Sequence, residues 1–166
     1  MLRLPLPTAL YQRLPSPARL IAPLDARIPL TVKKKLLEPR LNRMFAVALQ
    51  EGDFELLEGR FLQLHITDPG IRLTLTLQQG RLCLSQRPGE AVIRGDWQAF
   101  LRLALRREDP DGLFFRRQLV IEGDTELGLG IKNLLDSLDW SLEQGLEGRL
   151  LQWLERLVAS RSTVVV

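Results

Sequence analysis

Two runs of strict alternation on either side of one turn constrain this chain most. In 60–67, Leu62, Leu64 and Ile66 share one parity, while Gln63, His65 and Thr67 share the other. In 71–78, Ile71, Leu73, Leu75 and Leu77 alternate with Arg72, Thr74, Thr76 and Gln78. Side chains along a strand point to opposite faces with period two, so both runs read as half-buried strands. Asp68-Pro69-Gly70 supplies the turn between them. Gln79-Gly80 leads to a third strand with Leu82 and Leu84 inward, and Ala91–Arg94 reads as a fourth after the break at Pro88-Gly89. The four together predict an antiparallel meander with one apolar face.

Helical patterns flank that meander. Leu41, Met44, Phe45, Ala48 and Leu49 recur at three- and four-residue spacing, with Pro39 placed to open the helix and Gly52 to close it. Asp96 is a good N-cap for a helix carrying Trp97, Phe100, Leu101 and Ala104. Asp109-Pro110-Asp111-Gly112 reads as a turn, followed by Leu113-Phe114-Phe115 and a fifth strand over 118–122. Gly123-Asp124 opens a helix whose stripe is Leu127, Ile131, Leu134, Leu135 and Leu138. A last, broadly apolar helix is expected from about Leu142 to Ala159. The fold class is therefore α+β.

Charge and proline divide the chain. Residues 1–50 hold nine Lys/Arg against two acids, whereas 51–166 hold fourteen against eighteen. Seven of the ten prolines fall within 1–39, which forbids one long helix there. The expected organisation is a Pro-rich basic arm over 1–38, a domain over 39–138, and an amphipathic helix and tail over 139–166. Lys33, Lys34 and Lys35 beside Leu36 and Leu37 either form an ordinary solvated first turn or meet an anionic membrane surface, where each charge contributes about 1 kcal/mol. The first 50 residues carry only Tyr11 and Phe45 as aromatics, too few to stack single strands, so no nucleic-acid partner is expected.

Few residues of this chain can carry chemistry. One cysteine, Cys83, and one histidine, His65, leave no disulfide framework and little material for a metal site or a His-dependent catalyst. Both fall on the polar parity of their strands. There is no phosphate-loop lysine motif, HExxH, GxSxG elbow or CxxC. Glu122, Asp124 and Glu126 cluster at a strand-to-helix junction, where capping and the helix dipole account for Asp124 and Glu126. Gly128 and Gly130 lie inside a helical stripe, so they serve close packing or leave room for a ligand. No catalytic residue, cofactor or metal is expected. No run of about 18 uncharged apolar residues occurs, so no transmembrane helix is expected. Abundant leucine fits either a filled core or a hollow one holding a hydrophobic ligand, and patterning does not separate them.

One segment goes beyond patterning. From Asp109 to Asp136 an Asp111-Gly112 turn runs into Phe114 and Phe115. A strand then ends at Gly123-Asp124, and the helix after it carries Leu127-Gly128-Leu129 and the pair Leu134-Leu135. This resembles the signature of sterol-carrier-protein-type lipid-binding domains, and Leu56–Leu62 is similar to the entry to the first strand in one bacterial branch. The resemblance covers about residues 40–138. It implies a curved five-stranded sheet covered by helices around an apolar tunnel, and a lipid-binding protein that is not an enzyme. The branch implies oxygen-independent ubiquinone biosynthesis, a polyprenyl quinone or isoprenoid ligand, and partnership with the hydroxylases UbiU and UbiV. The expected lining is Leu62, Leu64, Ile66, Leu73, Leu75, Phe100, Phe114, Phe115, Leu119, Ile121, Leu127, Ile131, Leu134 and Leu135. A charge at Leu127 or Ile131 is expected to abolish lipid binding and leave the protein soluble. The alternatives are an assembly protein with a filled core and a carrier of fatty acyl groups or phospholipid. A cytoplasmic protein with peripheral contact to the inner membrane is expected.

Overall fold

The computed structural model describes residues 28–68 and 70–137. The arm before residue 28, Leu138 and the helix expected over 142–159 lie outside the described residues. Numbered within them, the elements are α1 (Leu30–Met44), α2 (Ala46–Glu51), a short 3-10 turn (Glu55–Leu57), β1 (Leu62–Ile66), β2 (Ile71–Gln78), β3 (Arg81–Ser85), β4 (Ala91–Gly95), α3 (Trp97–Ala104), α4 (Pro110–Phe115), β5 (Leu119–Gly123) and α5 (Thr125–Ser137). The architecture is α+β: one five-stranded sheet with helices against it.

The sheet is not a plain meander. Its order is β3-β2-β1-β4-β5, and β4 runs parallel to β1. The cause is the unequal length of the first hairpin. β3 pairs only with Thr74–Gln78, so Ser85 ends level with the start of β1. A short connection then reaches the free edge of β1, where the Glu90 and Ala91 amides donate to the Phe61 carbonyl at 2.7 and 3.4 Å. Gly89 makes this crossing possible, because a Cβ there would come within 2.5 Å of Gln63 Cβ.

The apolar parity keeps its face, but on β2 the polar-parity Thr74 and Thr76 are buried too, so that strand is covered on both sides there. Leu82 and Leu84, Leu75 and Leu77, Leu62, Ala91 and Ile93, and Leu119 are buried and share one face through the registers of all four strand pairs. On α5, Leu127, Ile131 and Leu134 complete the apolar cluster, as Ala99 and Leu103 do on α3. The buried face of α3 is thus turned from the expected stripe: Trp97, Phe100 and Ala104 are half-buried, while Ala99, Leu101 and Leu103 are buried. Asp96 caps α3 as expected, its Oδ1 accepting from Ala99 N at 2.7 Å.

Pro39 does not open a helix. α1 begins after Pro29, whose carbonyl accepts from the Val32 and Lys33 amides, and it runs through Pro39 without a break. Two side chains reinforce the backbone there: Arg40 Nη1 donates to the Leu36 carbonyl, and Asn42 Nδ2 to that of Glu38. A boundary at 38/39 therefore falls inside a continuous helix. Gly52 ends α2 in the left-handed region at φ 84°.

α1 also closes the outer edge of the sheet. Asn42 Nδ2 donates to the Leu82 carbonyl at 2.8 Å, Asn42 Oδ1 accepts from Leu82 N at 2.9 Å, and Glu38 accepts from Leu84 N at 2.8 Å. One amide side chain thus stands in for the next strand and satisfies an edge that would otherwise invite another chain. Asn42→Ala is expected to cost about 2 kcal/mol, because a partly buried donor and acceptor both lose their partners. Urea unfolding measures the loss, and faster hydrogen exchange at Leu82 NH than in the unaltered protein assigns it to this edge.

A candidate lipid-binding face and an acid–base groove

The residues expected to line a tunnel fall into four groups. Leu62, Leu119, Leu127, Ile131 and Leu134 are buried together in one cluster between the sheet and α5. Leu64, Phe100, Phe114, Ile121 and Leu135 pack against that cluster and are partly buried. Leu75 is buried, whereas Ile66 and Leu73 are half-buried. Phe115 stands apart, 89% exposed. The reason is local. Asp109-Pro110-Asp111-Gly112 begins a helix: Asp109 Oδ1 accepts from Asp111 N and Pro110 sits in the first turn. A helix turns about 100° per residue, so with Leu113 buried and Phe114 half-buried, Phe115 is sent outward.

Gly128 answers to packing. A Cβ there would overlap the Cγ2 methyl of Ile121, so α5 lies directly on β5. Gly130 has more room, with Leu56 Cδ1 3.2 Å from the place of its missing Cβ.

The charged groups near this face are tied into the frame. Arg60 Nε donates to Glu90 Oε2 and Arg60 Nη2 to Asp124 Oδ2, both at 2.5 Å, joining the approach to β1, the start of β4 and the head of α5. Asp124 Oδ1 accepts from the Leu127 amide at 2.9 Å. That amide, with Arg60, holds the Asp124 carboxyl below its usual range. Hydrogen bonding to Glu90 raises Arg60 further. Glu122 pairs with Arg94 at 2.6 Å. Asp124 is thus committed to capping and an ion pair, and Glu122 to an ion pair. Burial raises the Cys83 thiol, with Glu38 nearby adding to it, which makes it a poor nucleophile at neutral pH. No group of three or more His, Cys, Asp or Glu able to hold a metal occurs among the described residues. Of the three lysines, Lys35 is exposed and Lys33 and Lys34 are half-buried, beside the exposed Val32 and Leu36 of α1.

His65 stands between Arg72 on β2 and Arg94 on β4 in the strand registers. Desolvation, then those two cations, lowers its pKa, while Glu122 opposes them weakly. The folded chain therefore takes up this proton less readily than the unfolded chain. The His65 contribution to stability is full above the ordinary imidazole value and declines as pH falls through it, because protons then favour unfolding. The urea midpoint is expected to drop between about pH 8 and about pH 5.5, and His65→Gln to flatten that segment. An equal slope in both proteins would assign it to other groups.

A second feature was not legible as a site. Asp111, Gly112, Phe114, Phe115 and Lys132 line an open groove of about 550 Å³ between α4 and α5. Lys132 Nζ pairs with Asp111 Oδ1, and that carboxylate raises the lysine pKa. In sequence these two residues lie 21 positions apart, one in a motif with the form of a turn and one on a helix flank. Nothing local marks them as neighbours.

The fold agrees with comparison to known proteins. The model of the SCP-2 sterol transfer family matches residues 41–136. The chain belongs to this family. Within the SCP-2 family it is similar to the ubiquinone biosynthesis accessory factor UbiT of Escherichia coli strain K12. The two are 39% identical over 137 residues, covering 81% of this chain and 79% of that protein. The UbiT of Escherichia coli O157:H7 matches equally. A solved structure described as UbiJ-SCP2 ubiquinone synthesis protein superposes with a TM-score of 0.51, covering 64% of this chain and 95% of that one. At 14% identity it speaks for the fold alone. The resemblance carried by residues 109–136 is thus shown. Among the described residues, no helix is long and apolar enough to cross a membrane.

Proposed function

We propose that this chain is a non-catalytic lipid-binding accessory factor of ubiquinone biosynthesis. It holds ubiquinone or a polyprenylated precursor and presents it to enzymes of the oxygen-independent route, with UbiU and UbiV as the hydroxylases it serves. The observation that carries the reading is the similarity to UbiT across four fifths of the chain. The physical case is consistent with it. A polyprenyl tail in water costs about 25 cal/mol for each Å² of apolar surface, so a pathway in water needs a carrier. The tail is taken up at the seam between α5 and the sheet, where Leu62, Leu119, Leu127, Ile131 and Leu134 pack together and are bordered by Phe100, Phe114 and Ile121. The acids at its edge are already engaged in ion pairs and capping. Lys33, Lys34 and Lys35, beside Val32 and Leu36, meet the bilayer from which the lipid is drawn, so the protein works at the periphery of the inner membrane.

Deletion of the gene in its host tests the pathway. Ubiquinone made without oxygen is expected to disappear and ubiquinone made with oxygen to persist. Loss of both, or of neither, would overturn the oxygen-independent assignment.

A further inference from the structure

We infer that the groove between α4 and α5 binds the ring of the lipid, an aromatic head bearing carbonyl or hydroxyl oxygens. This rests on the carrier reading and adds to it a second, polar site outside the apolar seam. Phe115 is a large flat side chain left 89% exposed on a helix end that could have carried a polar residue. Its neighbour Phe114 lines the groove and also packs against the core cluster, so one ring borders both. Gly112 contributes bare backbone to this open groove of about 550 Å³. Into this apolar setting the fold brings one base and one acid. The Lys132 side chain is 20% exposed and that of Asp111 57%.

That pair selects a chemical class. Lys132 donates to a ring carbonyl or phenolic oxygen, and Asp111 accepts from a ring hydroxyl. The ring lies against Phe115. A phosphate head would meet the Asp111 carboxylate, and a sterol hydroxyl would use one partner and leave the ring face of Phe115 bare. Because the groove is open, the ring stays accessible to an enzyme while the tail is held in the seam.

Titration calorimetry on the full chain tests this with two probes, decylubiquinone and geranylgeraniol, which has an isoprenoid tail and no ring. Phe115→Ala and Lys132→Met are each expected to weaken decylubiquinone about tenfold and to leave geranylgeraniol at its original affinity. Phe115 is exposed, so its variant keeps the fold, which matched melting temperatures verify. Unchanged decylubiquinone binding in both variants would place the ring elsewhere and overturn the inference. So would equal weakening of both probes, which would make these residues part of the tail site. If the unaltered protein binds neither probe, the carrier reading fails, and the inference with it.

Discussion

Ile131→Asp is expected to unfold the domain, not to switch off binding in a folded protein. Ile131 is 3% exposed and packs in the cluster shared by the sheet and α5. Removing the side chain forfeits about 2 kcal/mol of burial, and an unpartnered carboxyl in its place costs about 2 kcal/mol or more. Together these approach the whole stability of an ordinary domain, about 5–15 kcal/mol. Solubility after a charge at Leu127 or Ile131, expected from the lining that the resemblance implies, therefore gives way to loss of structure. Leu129→Asp is the matched control. Leu129 lies two residues earlier on the same helix and is 52% exposed, so its change is expected to stay within about 0.5 kcal/mol. Circular dichroism and urea melts of the two variants read the contrast directly. Similar melts for both would mean that α5 does not close the core at Ile131.

The second large effect concerns Gly128. Gly128→Val is expected to destabilise by about 3 kcal/mol, because its Cβ would overlap the β-branched Ile121, which is held in β5. Gly130→Ala, one half-turn on, is expected to be neutral or to gain up to about 1 kcal/mol from helix propensity. Its Cβ meets only the flexible end of Leu56. If both variants lost stability equally, close approach of α5 to β5 would not be the reason for the glycine.

These cases show what the sequence made legible. Period-two alternation identified β1, β2 and their buried face, since the pattern and the pleat share one geometry. The N-cap role of Asp96 and the stop at Gly52 were readable because they are local. Pairing across the sheet was not. Whether β4 joins β3 or β1 depends on where β3 ends against β2, a register that no single strand encodes. Pro39 misled for a similar reason: what lets α1 run through it includes Asn42 and Glu38 held on β3, a contact about forty residues away. Phe114 and Phe115 appeared together because Asp109-Pro110-Asp111-Gly112 had the form of a turn, and only its helical geometry separates a core ring from a surface one. The Asp111–Lys132 pair was invisible because it depends on α4 packing against α5.

The central claim is that this chain carries an isoprenoid quinone. Organic extraction of the native protein, purified without detergent, followed by mass spectrometry of the extract tests it most directly. Near-stoichiometric ubiquinone or a prenylated precursor is expected in the extract. Phospholipid or fatty acid alone would contradict the quinone claim, and an extract empty of lipid would contradict the carrier reading in favour of a filled core that serves assembly.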